Sequence, residues 1–285
     1  MIRISLMLEG QEGITWEQWL ALAQAAEDAN LEGLFRSDHY RSIMNDDPAG
    51  SLDAWTTLAG LAARTERIRL GTMVSPVTFR PASVLAKSVT TVDHISNGRA
   101  ELGIGAGWYE PEHTTYGFDF RTVAERLDEL DRQLAEIVRQ WTTADDVWPK
   151  PVQRPHPPII VGGGAKPRTV RAAVRWADEY NTVFPTVQEA RERKEILDDA
   201  ARAAGRDPLR FSIMIGCVVG RNDTDLQRRL ERYPDPPPIV GTVDQVVEQL
   251  RAYEHAGVDR AMLQHLSHDD VEMVAVLGEV AARLG

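Results

Sequence analysis

The chain alternates between short apolar runs and longer stretches in which apolar residues recur every three or four positions. Residues 2–8 form a run of the first kind and predict a strand. Residues 16–29 follow with Trp16, Trp19, Leu20, Ala23 and Ala26 on one helical face. The alternation then repeats: strand 33–38, helix 53–64 with Ser51 or Asp53 as N-cap, strand 68–75, helix 81–94 opened by Pro81, strand 99–105, and a long helix over 122–141. Residues 142–158 are polar and proline-rich, with no period. They read as an excursion and not as a domain linker, because the alternation resumes directly. Strands 158–161, 179–183, 211–219 and 260–264 come next, with helices 167–176, 187–204, 223–233, 243–256 and 270–284 around them and a turn-rich segment at 234–238.

Eight strands, each followed by helix, predict a parallel sheet, and right-handed crossovers repeated eight times close it into a (β/α)8 TIM barrel. An open doubly wound sheet with a small second domain is the competing architecture. A chain of 285 residues suits one barrel domain spanning 1–285, since this fold takes about 250 residues. The net charge of −11 argues against a nucleic-acid partner. No stretch approaches the ~20 apolar residues of a membrane span, and residues 1–10 lack the build of a signal peptide. A cytoplasmic enzyme with no membrane partner is expected. The lone Cys217 lies in an apolar run and reads as a small buried hydrophobe.

Candidate chemistry belongs where the strands end, at the C-terminal face of the barrel. The first strand delivers Leu8, Glu9 and Gly10 there, and the second delivers Ser37, Asp38, His39 and Tyr40. The third delivers Val74, Ser75 and Pro76, the fourth Gly105, Ala106, Gly107, Trp108 and Tyr109, and the eighth His265. Asp38-His39 sets a carboxylate beside an imidazole, a pair able to position a proton donor; a structural loop histidine is the competing reading. Glu9 is either an acidic group at the mouth or a solvated loop residue. Gly103-x-Gly105-x-Gly107 is out of register for a dinucleotide fingerprint, and reads as backbone that a flat ring can approach or as a tight turn.

Gly162, Gly163 and Gly164 follow the fifth strand and open a helix through Ala165, Lys166, Pro167 and Arg168. Free N–H groups there, with Lys166 and Arg168, predict an anion site; a flexible loop is the alternative. Gly241-Thr242 reads as an ordinary N-cap. The histidines show no ligand spacing, so no metal is expected, and no G-x-S-x-G elbow supports nucleophilic hydrolysis.

Several of these segments resemble the luciferase-like monooxygenase family: Phe35-Arg36-Ser37-Asp38-His39-Tyr40, Arg69-Leu70-Gly71-Thr72-Met73-Val74-Ser75, Val84-Leu85-Ala86-Lys87, Leu102-Gly103-Ile104-Gly105-Ala106-Gly107-Trp108-Tyr109-Glu110 and Pro158-Ile159-Ile160-Val161-Gly162-Gly163-Gly164. More narrowly, the chain is similar to the branch that uses the deazaflavin coenzyme F420. The resemblance implies that Asp38 and His39 lie beside the deazaflavin ring, with His39 as proton donor or polarising group. It implies a non-proline cis peptide at Met73-Val74 behind the ring, with Ser75 next to it. It implies that Gly105, Ala106, Gly107 and Trp108 border the ring, and that Gly162–Gly164, with Lys166 and Arg168, hold the cofactor phosphate. Where some members carry a tryptophan five residues after the aspartate, this chain has Ile43. Where some have a glutamate after the Gly-x-Gly turn, it has Trp108, with Glu110 and Glu112 nearby. The implied activity is hydride transfer between F420 and a small organic substrate in a homodimer. An FMN-dependent monooxygenase using O₂ and a non-catalytic flavin-binding barrel are the alternatives. The segments 39–52, 110–120 and 142–157 are expected to set specificity, and 222–238 to leave the pocket open.

Overall fold

The eight barrel strands are buried on both faces, as near-continuous apolar runs require. The computed structural model describes residues 1–44 and 50–285. Strands β1 (Arg3–Leu8), β2 (Gly33–Arg36), β3 (Arg69–Thr72), β4 (Ser75–Pro76), β5 (Ala100–Gly105), β6 (Ile159–Gly162), β7 (Glu179–Val183), β8 (Arg210–Gly220), β9 (Ile239–Thr242) and β10 (Arg260–His265) follow one another along the chain. Every pairing is parallel, and β10 pairs with both β1 and β8, which closes the sheet. β3 and β4 are two halves of one barrel position, interrupted at Met73-Val74, where the peptide bond is cis. The fold is therefore the expected (β/α)8 barrel, and the open-sheet alternative does not hold.

The outer ring is made by α1 (Trp16–Asp28), α2 (Ala54–Ala62), α3 (Ala82–Ile95), α5 (Val123–Trp141), α6 (Pro167–Trp176), α7 (Val187–Ala203), α8 (Asp223–Leu230), α9 (Val243–His255) and α10 (Val271–Leu284), with the short α4 (Glu110–Tyr116) on the C-terminal face. Their starts are chemically marked. Thr15, Thr122 and Thr186 each complete a capping box with the residue three positions on. Asp53 caps α2 through the Thr56 N–H, while Ser51 donates instead to the His39 carbonyl at 2.6 Å. Thr242 is the N-cap of α9, as the sequence suggests.

Two elements depart from expectation. β9 forms from Ile239–Thr242, which the sequence reading passes over between a proline run and a helix. It pairs with the end of β8 outside the barrel, Cys217 opposite Ile239. α4 forms inside a segment expected to be loop. Its signals are Pro111 in the first turn, Glu110 and Glu112 at the N-terminal end, and Gly117 at φ 72° as C-cap.

The barrel interior is layered. Met7, Phe35, Met73, Ile160, Met214 and Met262 form an apolar layer in the lumen. Below it, at the N-terminal end, Arg260 reaches the carboxylates of Glu101 (2.8 Å) and Glu179, all three fully buried. The Arg260 guanidinium also lies 4.9 Å from the Phe35 ring, which joins the two layers. The floor is thus sealed by paired charge and the open end is the C-terminal face.

Candidate active site

The C-terminal ends of the strands surround a cavity of ≈ 490 Å³. One wall is the β3–β4 break and the glycine turn after β5: Met73, Val74, Pro76, Gly105, Ala106 and Gly107. The opposite side holds Asn181, Met214 and Gln264, and the mouth carries Ile43, Trp108 and Phe184. Gly162 and Gly163 line the cavity between Trp108 and Phe184 in strand order. Glu9, Ser37, His39 and Glu112 supply the polar groups of the β1–β2 side.

His39 and Asp38 are neighbours in sequence but face different ways. The carboxylate bound to His39 is Glu112: its Oε1 lies 2.7 Å from His39 Nδ1, and its Oε2 accepts the Tyr40 N–H at 3.0 Å. Glu112 is buried and fixed by α4, so the pair has one geometry. Burial alone would push the imidazole down; the hydrogen bond and charge of Glu112, with Glu9 and Asp38 beyond, outweigh it and raise the His39 pKa above its ordinary value. Nδ1 being engaged, Nε2 is the nitrogen left for a ligand. The expected Asp38–His39 pair is therefore replaced by Glu112–His39. Asp38 points behind the wall, where its Oδ2 accepts from Ser75 Oγ at 2.6 Å and Arg80 Nη1 at 2.6 Å. Arg80 also binds Asp53 at 2.6 Å, and Ser75 accepts the Trp55 indole N–H at 3.0 Å. Asp38 and Ser75 thus hold β2, β4 and α2 together and stay out of the cavity lining.

The glycines have a packing reason that the sequence reading did not supply. A Cβ at Gly103 would fall 2.0 Å from the Thr72 carbonyl oxygen, and one at Gly105 would fall 2.7 Å from a Val74 methyl. A Cβ at Gly162 would meet the other Val74 methyl at 3.2 Å. Val74 occupies the space between the two turns and itself forms the surface a ligand would meet. Gly107, at φ 78°, takes the left-handed conformation that glycine tolerates.

The anion loop is partly committed. The Gly163 N–H donates to the Asn181 carbonyl at 3.0 Å and the Ala165 N–H to the Tyr180 hydroxyl at 2.9 Å. Gly164 faces open space and is exposed. Lys166 is exposed at the N-cap of α6, and Arg168 pairs with Asp128. Neither side chain lines the cavity.

Sequence reasoning missed three groups. Gln264 donates to Glu9 at 2.6 Å, and Gln11 holds the other Glu9 oxygen at 2.8 Å, so Glu9 is a buried, fixed carboxylate and not a solvated one. Asn181 donates to Ser212 Oγ at 2.8 Å, while its Oδ1 has no hydrogen-bond partner among the described residues. Met214 was hidden because an inward apolar position on a buried strand looks like any other core residue, whereas the amide of Gln264 at the end of the apolar run 261–263 was a signal left unread. His265 follows Gln264 and therefore faces the other side of the sheet. It is fully buried beside His268, their ring centroids 6.4 Å apart, and neither of its ring nitrogens meets hydrogen-bonding geometry with a partner among the described residues. Burial, then the neighbouring His268, holds His265 down to about 4; burial holds His268 down to about 4 as well. Cys217 is buried, and burial pushes its thiol up to about 12, as befits an inert hydrophobe. Among the described residues no group of three His, Cys, Asp or Glu side chains could hold a metal, and no helix is long and apolar enough to cross a membrane. Residues 45–49 of the expected specificity segment 39–52 lie outside the described residues.

A (β/α)8 barrel with a cavity at its strand ends, lined by an imidazole–carboxylate pair, is of the class that gathers its site residues at that face. The luciferase-like monooxygenase family model matches residues 1–238, and the chain belongs to that family. An uncharacterised protein of Mycobacterium tuberculosis is 34% identical over 183 residues, which is 59% of this chain. The aligned part spans only 62% of that relative's length. An F420-dependent glucose-6-phosphate dehydrogenase of Amycolatopsis mediterranei is 24% identical over 90% of this chain and 91% of its own. Among solved structures, an F420-dependent secondary alcohol dehydrogenase superposes with a TM-score of 0.82 at 17% identity, covering 100% of this chain and 99% of that one. The FMN-bound oxygenating component of 3,6-diketocamphane monooxygenase from Pseudomonas putida gives 0.80 at 18%, covering 99% of each chain. These likenesses show the fold that this chain shares with F420-dependent and FMN-binding proteins alike.

Proposed function

We propose that this chain transfers hydride between coenzyme F420 and a small organic substrate in the cavity at the strand ends. The observation that carries the reading is the His39–Glu112 pair, set in a cavity that it shares with the apolar face of Met73, Val74 and Ala106. The residues present fit a planar ring with one polar edge. Met73, Val74 and Ala106 offer a flat apolar surface, and the buried Asn181 Oδ1 lacks the donor that an imide N–H would provide. Val74 and Met73 would support the ring, and the backbone of Gly162–Gly164, with Lys166 alongside, would take the phosphate. When bound, the deazaflavin supplies a carbon that accepts or donates hydride.

This chain's own residues then do three things. The apolar walls exclude water from the reacting centre. His39 holds a proton on Nε2 for the substrate oxygen, and Glu112 stabilises the imidazolium and fixes its orientation. Glu9, held by Gln11 and Gln264, keeps the β1 side of the cavity polar and rigid. Asp38 takes no part in proton transfer; it anchors the loop that presents His39.

Titration of the purified protein with F420 and with FMN, followed by absorbance, tests the reading. Tighter binding of F420, with its absorbance bleached when substrate is oxidised, is the expected result. Tight FMN binding without F420 binding would overturn the cofactor assignment, and oxygen uptake would then place the chain among the monooxygenases. A cofactor that binds and stays redox-silent would overturn the enzymatic reading.

A further inference from the structure

The cavity mouth carries a feature that redox chemistry alone does not require. Phe184, the first residue after β7, has φ 47°, a left-handed conformation that a bulky side chain avoids because its Cβ crowds the following carbonyl. The Phe184 N–H donates to the Met214 carbonyl at 2.8 Å, and Pro185 follows directly. The conformation is not there to bury the ring: Phe184 is 45% exposed and lines the cavity. Val183 beside it is 46% exposed, and Trp108, on the far side of the β6 glycine loop, is 62% exposed. An unfavourable backbone that presents an exposed apolar ring beside a cavity points to a ligand.

The charges around the cavity narrow the ligand. Glu9 and Glu112 are buried carboxylates on its wall, and among the described residues no lysine or arginine lines it. The nearby guanidiniums stay out of the cavity lining: Arg36 is fully buried and donates to the carbonyls of Ser37 and Leu52, and Arg80 is held by Asp38 and Asp53. A substrate carboxylate would meet Glu9 and Glu112, and the one cationic group on the described lining, the His39 imidazolium, is already paired with Glu112.

We propose that Phe184 and Trp108 form a specificity-determining rim that selects an uncharged substrate whose apolar body reaches past the cavity mouth. The polar cofactor phosphate belongs to the glycine loop, so the exposed rings on either side are left for the substrate. The proposal rests on the redox reading for which end of the substrate reacts, but not for how its body is held.

Calorimetric titration decides it. The protein is saturated with whichever of F420 or FMN it binds, and methyl ketones of increasing chain length are added, together with their ω-carboxylate counterparts. Affinity should rise by up to about fourfold per methylene while the chain lies against the rim. The carboxylates should bind at least about tenfold more weakly than ketones of equal length, a gap of about 1.4 kcal/mol. Phe184→Ala and Phe184→Gly should flatten the length dependence and leave the cofactor Kd unchanged. Phe184→Gly should also keep or raise the Tm, since glycine adopts this φ freely, which separates a lost contact from a damaged fold. A slope unchanged in both variants, or carboxylates that bind as well as ketones, overturns the proposal. If neither cofactor binds, the redox reading falls. The same titration on the protein alone then decides the rim: length-dependent binding that Phe184→Gly abolishes supports it, and length-independent binding overturns it.

Discussion

Acid should destabilise this protein through two buried histidines that have no role in the cavity. His265 and His268 sit at about 4 in the folded chain, against 6.5 for an ordinary imidazole, because burial leaves no water around the charged form. The unfolded chain therefore binds protons that the folded chain refuses. Stability contributed by the neutral rings is intact above pH 6.5 and is lost as pH falls toward 4. Between about pH 7.5 and pH 5 the loss comes to about 2 kcal/mol per histidine by linkage. About 4 kcal/mol for the pair is a large share of the ~5–15 kcal/mol that separates a domain from its unfolded state. His39 works in the opposite sense: its raised pKa gives stability below 6.5 that is lost as pH rises. Urea unfolding at the two pH values measures the difference for the parent chain, for His265→Phe and for the His265→Phe, His268→Gln pair. Reading the difference between pH values cancels whatever each substitution does to packing. A parent chain that loses less than about 1 kcal/mol, or a double variant that keeps the full pH dependence, would refute the argument.

Other outcomes follow from the same geometry. Glu112→Gln keeps the shape but removes the charge, so burial prevails and the His39 pKa should fall; an NMR titration of its ring proton that stays in place contradicts the assigned pairing. Asp38→Asn should lower stability by about 2–3 kcal/mol by loosening the Arg80 cluster, while leaving the pH profile of turnover where it was; a shifted profile would return Asp38 to proton transfer. Arg260→Met removes the cation that joins Glu101 to Glu179, leaving Arg69 on Glu101 and Arg210 3.9 Å from Glu179, and should cost about 3–5 kcal/mol in chemical denaturation; a neutral result would mean that Arg69 and Arg210 suffice to hold the floor carboxylates.

The barrel was legible because its signals are local. Alternating apolar runs and helical faces report burial directly, and threonines such as Thr15, Thr122 and Thr186 mark helix starts by their own side-chain chemistry. β9 escaped because four residues against a proline run are too few to show a period, and only the extension of β8 beyond the barrel gives them a partner. The site was legible in its placement more than in its partnerships. Position at a strand end told that His39 faces the chemistry, yet adjacency in sequence suggested Asp38 as its partner. Successive side chains on an extended segment point apart, so the neighbour of a functional residue is the one least able to touch it. Glu112 lies 73 positions away. Only the unread signals of α4 could have placed a carboxylate there.

The sealed floor of charge beneath the methionine layer imposes an order on events. With Arg260, Glu101 and Glu179 closing the bottom, nothing can leave by a second door. Whatever lies deepest must arrive first and depart last. A ring seated on Met73 and Val74 would therefore have to bind before a second molecule at the threshold and leave after it. A second small molecule that entered behind it would block the one exit.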